Sequence, residues 1–194
     1  MSVVIAARYR DGIALVADTQ GTSMNNKQNN IKKIKQFELS NTGIGVVGYL
    51  RDCNIVRILD EIIKPRDILN KVDIDEEYVI RKVVPKLIEH MQENKRTLHS
   101  ESGMVSMASQ MLFVTNKRMF EIGSDFSVAE SDRDYAVIGC GEEKVRGYMS
   151  LVGDTSNKTA IEITNVLVGA IRKACEDDVY INDAYDIYFF REEK

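Results

Sequence analysis

A chain of 194 residues, 44% hydrophobic and 29% charged with a formal net charge of -4, can bury a layered core and has the balance of an ordinary globular domain. The acidic excess argues against a dedicated nucleic-acid binder, and no apolar stretch reaches the roughly 18 residues that a membrane helix needs. Arg8, Arg10 and Asp11 interrupt the N-terminal run too early for a secretory signal, and three cysteines without metal-like spacing fit reduced thiols in a cytoplasm.

Ser2 stands directly behind Met1, followed by the apolar run Val3–Tyr9, a turn at Arg10-Asp11-Gly12 and a second run, Ile13–Ala17, that ends at Asp18. These read as strands over 2–9 and 12–18. A polar loop leads into Ile31-Lys32-Lys33-Ile34, where further strands are expected over 33–39 and 42–48, turning at Ser40-Asn41-Thr42-Gly43.

Apolar residues at Ile55, Ile58, Leu59 and Ile62 have helical spacing and predict a helix over 50–64. After a connector over 66–74, Val79, Val83, Leu87 and Met91 predict a second over 75–95, with a kink or break at Pro85. His90 and His99 are too few and too poorly spaced for a zinc site, and no cofactor is expected. Strands are expected again over 103–115, 117–123 and 135–139. Helices follow over 141–153 and 158–176, the latter with Thr155 or Asn157 as cap. A last strand covers Asp186-Ile187-Tyr188-Phe189-Phe190. Blocks of strands separated by helix pairs indicate a single α+β domain over 1–194, with antiparallel sheets and helices outside.

Removal of Met1 would give Ser2 both a hydroxyl and a free α-amino group. Such an amine, with an ordinary pKa of about 7.7–8.0, is substantially neutral near pH 8 and can take the hydroxyl proton as the oxygen attacks a carbonyl. A nearby lysine ammonium would lower the amine's pKa by like-charge repulsion. A carboxylate would hold that lysine, and Asp18 and Lys33 are the natural candidates. A glycine N–H facing the nucleophile would supply the oxyanion contact. Each residue also has an ordinary reading, since Ser after Met, Asp at a strand end and Lys at a strand start are all common. Cys140 and Cys175, at helix edges, read first as small buried hydrophobes. The cluster Glu176-Asp177-Asp178 is unfavourable at a helix C-terminus, which favours a functional reason for Asp178.

Several segments, in order along the chain, resemble the β-type subunits of the proteasome and the HslV peptidase. The opening hairpin to Asp18, with Thr22 shortly after, is similar to that family's first two strands, and Asn30-Ile31-Lys32-Lys33-Ile34 to its catalytic-lysine segment. Gly45-Val46-Val47-Gly48 resembles the family's glycine pair, and Gly139-Cys140-Gly141 its Gly-Ser-Gly turn. The helix before Asp178 and the strand 186–190 complete the match.

The resemblance implies an αββα sandwich, an N-terminal nucleophile (Ntn) hydrolase acting on peptide or unfolded protein, a homo-oligomeric ring and a possible ATP-dependent unfoldase partner. By it Ser2 is the nucleophile, Lys33 tunes the amine, Asp18 orients Lys33, Gly45 N–H holds the oxyanion, and Asp178 with Cys140 orders the amine. The chain departs from the pattern at Ser2 for threonine, Cys140 for serine, Ile181 and Asn182 for serine and glycine, and Tyr49-Leu50 ahead of Arg51-Asp52. From Ile181 and Asn182 one polar contact is expected to be missing, and Gly43 suggests an open specificity pocket. The alternatives are a non-catalytic structural subunit and an amide hydrolase or ligase with a specific substrate.

Overall fold

The computed structural model describes residues 2–23, 26–99, 105–176 and 178–192. In chain order the strands and helices are β1 (Val3–Tyr9), β2 (Gly12–Asp18), β3 (Gly21–Ser23), β4 (Asn26–Gln28), β5 (Ile34–Phe37), β6 (Thr42–Val47), α1 (Leu50–Arg57), α2 (Pro65–Leu69) and α3 (Glu76–Tyr78). A π-helical turn (Val79–Val83) runs into α4 (Val84–Glu93), followed by β7 (Leu98–His99), β8 (Val105–Ser106), β9 (Gln110–Val114), β10 (Met119–Ile122), β11 (Val128–Glu130), β12 (Tyr135–Gly139), α5 (Glu142–Val152), α6 (Ala160–Cys175) and β13 (Tyr185–Arg191).

Two antiparallel sheets, ordered β12-β1-β2-β13 and β11-β10-β9-β6-β5, stack face to face. The alternation of side chains along each strand sorts the apolar residues into three cores. Val3, Ile5 and Ala7 of β1 pack with Val145, Leu167 and Ile171 of α5 and α6. Val4 and Ala6 turn the other way and meet Ile34, Leu112 and Phe190 between the sheets. On the far side Ile44, Val46, Met111 and Phe113 pack against Val56, Val83 and Leu87 of the α1 and α4 layer. A strand buried on both faces reads as a continuous apolar run rather than an alternating one, which is why β1 and β2 look as they do in sequence. The result is the αββα sandwich expected from the sequence.

Local chemistry moved several boundaries. The first predicted helix stops at Arg57, and Ile62 and Ile63 are buried from the segment that follows it. The connector 66–74 contains part of α2, which starts on Pro65. At Pro85 the helix does not break, since α4 runs on from Val84 to Glu93. Proline has no N–H to give to the carbonyl of Arg81, and the π turn, in which Val84 N–H bonds Val79 O, precedes it. A turn that bonds across five residues steps past the missing donor. The cap of α6 is Thr159, not Thr155 or Asn157: Thr159 Oγ1 accepts from Glu162 N–H while Glu162 Oε2 accepts from Thr159 N–H at 2.8 Å. The polar loop after Asp18 contains the β3–β4 hairpin. The part of the strand predicted from residue 103 that precedes Val105 lies outside the described residues. Among the described residues, no helix is long and apolar enough to cross a membrane.

Candidate active site

Ser2 lies at the open end of the first sheet, where β1, β2 and β12 run side by side. It is 5% exposed. Its carbonyl accepts from Cys140 N–H at 3.0 Å and from the Cys140 thiol at 3.4 Å, so the β12–α5 turn grips it from one side. The next amide, Val3 N–H, donates to Asp18 Oδ1 at 2.9 Å from the other. The antiparallel register of β1 with β2 pairs Val4 with Ala17 and so brings the end of the second strand to the start of the first.

Asp18 is fully buried and Lys33 is 3% exposed. Lys33 Nζ donates to Asp18 Oδ1 at 2.7 Å, and Gln20 N–H donates to Asp18 Oδ2 at 3.1 Å. Burial pushes the Lys33 amine below its ordinary range, with the Asp18 charge acting against it. Burial likewise pushes the Asp18 carboxyl up, against the pull of Lys33 and of the Val3 and Gln20 N–H groups. Two opposite charges out of water are tolerable only when paired and hydrogen-bonded, and this pair lies directly beneath the Ser2–Val3 peptide.

Asp178 stands beyond the end of α6, so the dipole of that helix does not oppose it as its place in an acidic cluster suggested. Asp177, its neighbour, lies outside the described residues. Asp178 Oδ1 accepts from Tyr180 N–H at 2.9 Å. Burial, followed by the hydrogen bond to the Asp178 carboxylate, pushes the Cys140 thiol up to about 11. Near neutral pH Cys140 is therefore a protonated thiol rather than a thiolate nucleophile, with its one S–H shared between two acceptors, the Ser2 carbonyl and the Asp178 carboxylate. Cys175, half-buried, donates its thiol to Ile181 O at 3.2 Å and packs beside the α6 core.

At the two places expected to cost a polar contact, Ile181 brings an apolar side chain and Asn182 an amide that bonds elsewhere. Ile181 is buried, and its N–H donates to Asp178 O at 3.2 Å. Asn182 Oδ1 accepts from Thr19 N–H at 3.1 Å, and its Nδ2 donates to Thr19 Oγ1 at 3.3 Å. Gln20, nearly buried, donates from Nε2 to Val179 O at 2.8 Å. Thr19, Gln20 and Asn182 thus clamp the segment that carries Asp178 onto the end of β2. In the sequence the only sign of this was a run of hydrogen-bonding side chains directly behind Asp18.

Gly45 is not where the sequence comparison put it. The β5–β6 register sets Ile34 opposite Gly45 and therefore Lys33 opposite Val46, whose N–H donates to Lys33 O at 2.9 Å. Successive N–H groups alternate between the two sides of a strand, so the Gly45 N–H points toward Leu112 of β9, its partner on that side. The reason for glycine here is packing: a Cβ at Gly45 would collide with Val4, and one at Gly43 with the Phe190 ring. The open pocket expected at Gly43 is filled by that ring. Lys33 also faces Cys53 of α1, whose thiol donates to Val46 O at 3.7 Å and is pushed up to about 11 by burial.

Among the described residues, no group of His, Cys, Asp and Glu could hold a metal ion. The arrangement instead collects a hydroxyl at the chain start, a buried lysine–carboxylate pair and a second carboxylate within one sheet end, a set suited to acyl transfer through an N-terminal nucleophile.

The comparisons bear on the fold and the family. The fold is similar to that of an Anbu (Gly-1) mutant from Hyphomicrobium sp. strain MC1, with TM-score 0.70, 14% identity and coverage of 98% of this chain and 82% of that one. It is also similar to eukaryotic HslV from Trypanosoma brucei, with TM-score 0.63, 16% identity and coverage of 96% of this chain and 97% of that one. No curated protein sequence matches. The family model for the proteasome subunit matches residues 2–190, and the chain belongs to that family.

Proposed function

We propose that this protein is a peptidase that hydrolyses peptide bonds with Ser2 as N-terminal nucleophile, exposed when Met1 is removed. The observation that carries this reading is the buried Lys33–Asp18 pair, whose carboxylate also holds Val3 N–H, one peptide from the nucleophile. The α-amine of Ser2 takes the proton from Oγ as Oγ bonds to the substrate carbonyl carbon. The Lys33 ammonium keeps that amine's pKa down and stabilises the oxygen as it loses its proton. The amine returns the proton to the leaving nitrogen as the C–N bond breaks, and water then cleaves the Ser2 ester by the reverse route. Cys140 holds the Ser2 main chain through its N–H, and Asp178 stands beside the Cys140 thiol. Membership of the proteasome family supports a peptide or unfolded protein as substrate, a homo-oligomeric ring, and an ATP-dependent unfoldase as partner in the cytoplasm.

The test starts with intact mass and N-terminal sequencing of protein from its native host, which should begin at Ser2. That material should cleave fluorogenic peptides and form a covalent adduct with a peptide epoxyketone at Ser2. Ser2→Ala should lose both. Protein that starts at Ser2 yet neither cleaves nor forms the adduct sinks the proposal. Quantitative retention of Met1 would assign the chain to a structural role instead.

A further inference from the structure

The β5–β6 turn lies at the opposite end of its sheet from Lys33, and a cleft of about 660 Å³ opens beside it. Three segments far apart in sequence line this cleft: the β5–β6 turn, the chain from Asp67 to Ile74, and the β9–β10 turn. Its volume falls in the range of roughly 300–1,000 Å³ typical of small-molecule sites. The walls are tied to one another. Asn41 Nδ2 donates to Arg191 O at 2.7 Å and Asn116 Nδ2 to the same carbonyl at 3.5 Å, which joins the two turns through the end of β13. Arg118, in the β9–β10 turn, reaches Asp73 Oδ2 of the middle segment at 2.9 Å.

The cleft is amphipathic. Ile63 is buried at its base, and Ile68 and Ile74 pack on the same core. Leu39 and Val72 line it with their apolar side chains exposed. Its acids are already engaged: Asp73 pairs with Arg118, and Asp67 Oδ2 accepts from Tyr78 O–H at 2.7 Å. Lys71 and Lys117 also line the cleft and are exposed. Among the described residues neither ammonium makes a hydrogen bond or an ion pair. Lys71 carries a further signal. It follows α2 at φ 50, where its N–H and that of Val72 close the helix on Ile68 O and Asp67 O, both at 3.0 Å. Helices commonly end on glycine in this left-handed position, because a Cβ is strained there. The backbone thus favours glycine at a place where the chain keeps an ammonium at the cleft.

We propose that this cleft binds a small organic anion with an apolar body, a carboxylate or a phosphate ester. Its charge lies near Lys71 and Lys117, and its body lies on Leu39, Val72 and the isoleucines of the base. The site is separate from the Ser2 cluster and does not rest on the peptidase reading.

The experiment titrates the intact protein with anilinonaphthalene sulfonate, an amphipathic anion whose fluorescence rises on apolar surface. Octanoate, octyl phosphate, octylammonium and inorganic phosphate then compete with it. The dye should bind saturably, one per chain. Octanoate and octyl phosphate should displace it, and the stronger of the two identifies the head group. Octylammonium and inorganic phosphate should not, because the first lacks the negative charge and the second the apolar body. Lys71→Gln and Lys117→Gln should each weaken dye binding by roughly two- to fivefold, the range that an exposed charge pair supplies. Lys71→Arg should keep it. Leu39→Ser should weaken binding by about threefold or more through lost apolar contact. These side chains are exposed, so the thermal unfolding midpoint should move by no more than about 2 °C in each variant. Three results would overturn the proposal: no saturable binding, displacement by octylammonium as strong as by octanoate, or unchanged binding in the Lys71→Gln, Lys117→Gln double variant.

Discussion

Asp18 uses one carboxylate for three tasks: Oδ1 accepts from Val3 N–H and from Lys33 Nζ, and Oδ2 from Gln20 N–H. That economy makes the site sensitive to single changes. Lys33→Ala leaves a buried carboxylate without its cation and should destabilise the fold by about 3–5 kcal/mol. The double variant Lys33→Met with Asp18→Asn removes both charges and should recover most of that stability, yet stay inactive. Urea unfolding with peptide turnover separates the two effects, and an active double variant would refute the assignment. Cys140 offers a pH-dependent check. Its thiol titrates at about 11, whereas an ordinary thiol titrates at about 8.5. A raised acid pKa means less thiolate at any pH below it, so iodoacetamide at pH 8 should label Cys140 more slowly in the native protein than in the unfolded one. The native rate should climb as pH nears 11. Rapid native labelling at pH 8, read by peptide mass, would show the thiol is not held as described. Ser2, Asp18 and Lys33 were legible in the sequence because their chemistry follows from residue type and order. Gln20 and Asn182 were not, because amide side chains signal nothing until their partners, 159 and 163 residues away, are known.

The β5–β6 hairpin shows how one residue of register decides which backbone group faces the chemistry. The turn runs over Glu38–Asn41, with Asn41 at φ 51, rather than over Ser40–Gly43 as its residues suggested. A one-residue change of register swaps the faces of a strand, and the register seen sets Val46 opposite Lys33 and turns the Gly45 N–H toward β9. Gly45→Ala should then act through packing. It forces a methyl into Val4 and should cost about 1–3 kcal/mol, with part of the loss recovered in the double variant with Val4→Ala. Thermal unfolding of the pair of variants checks this. A Gly45→Ala protein of unchanged stability would contradict the packing. The helices were legible as periodic apolar patterns. Their ends were not, because caps such as Thr159–Glu162 and the π turn before Pro85 depend on which hydrogen bonds the neighbouring backbone leaves unmade.

Across the whole molecule, three cores separated by two sheets explain why so little of the strand sequence alternates. Each central strand is covered on both faces, so apolar residues fill both sets of positions. Gly43 and Gly45 let the sheets close on each other through Phe190 and Val4, and the same closure brings the end of β2, the start of β5 and the turn after β12 to the chain start. The order of apolar runs, turns and helical periods was enough by itself to specify an α+β domain with antiparallel sheets and outer helices, because burial on one or two faces leaves a periodic mark in the chain; the αββα layering was implied by the resemblance to the proteasome family. The chemical types of Ser2, Asp18, Lys33, Cys140 and Asp178 were also written there. Only the tertiary structure decided that Cys140 stands beside both the Ser2 carbonyl and Asp178, that Gly45 serves packing, and that the buried Asp52 carboxylate gathers Ser109 and Arg96. The physical reason is that a hydrogen bond or an ion pair is made in space, between groups whose separation along the chain leaves no local trace.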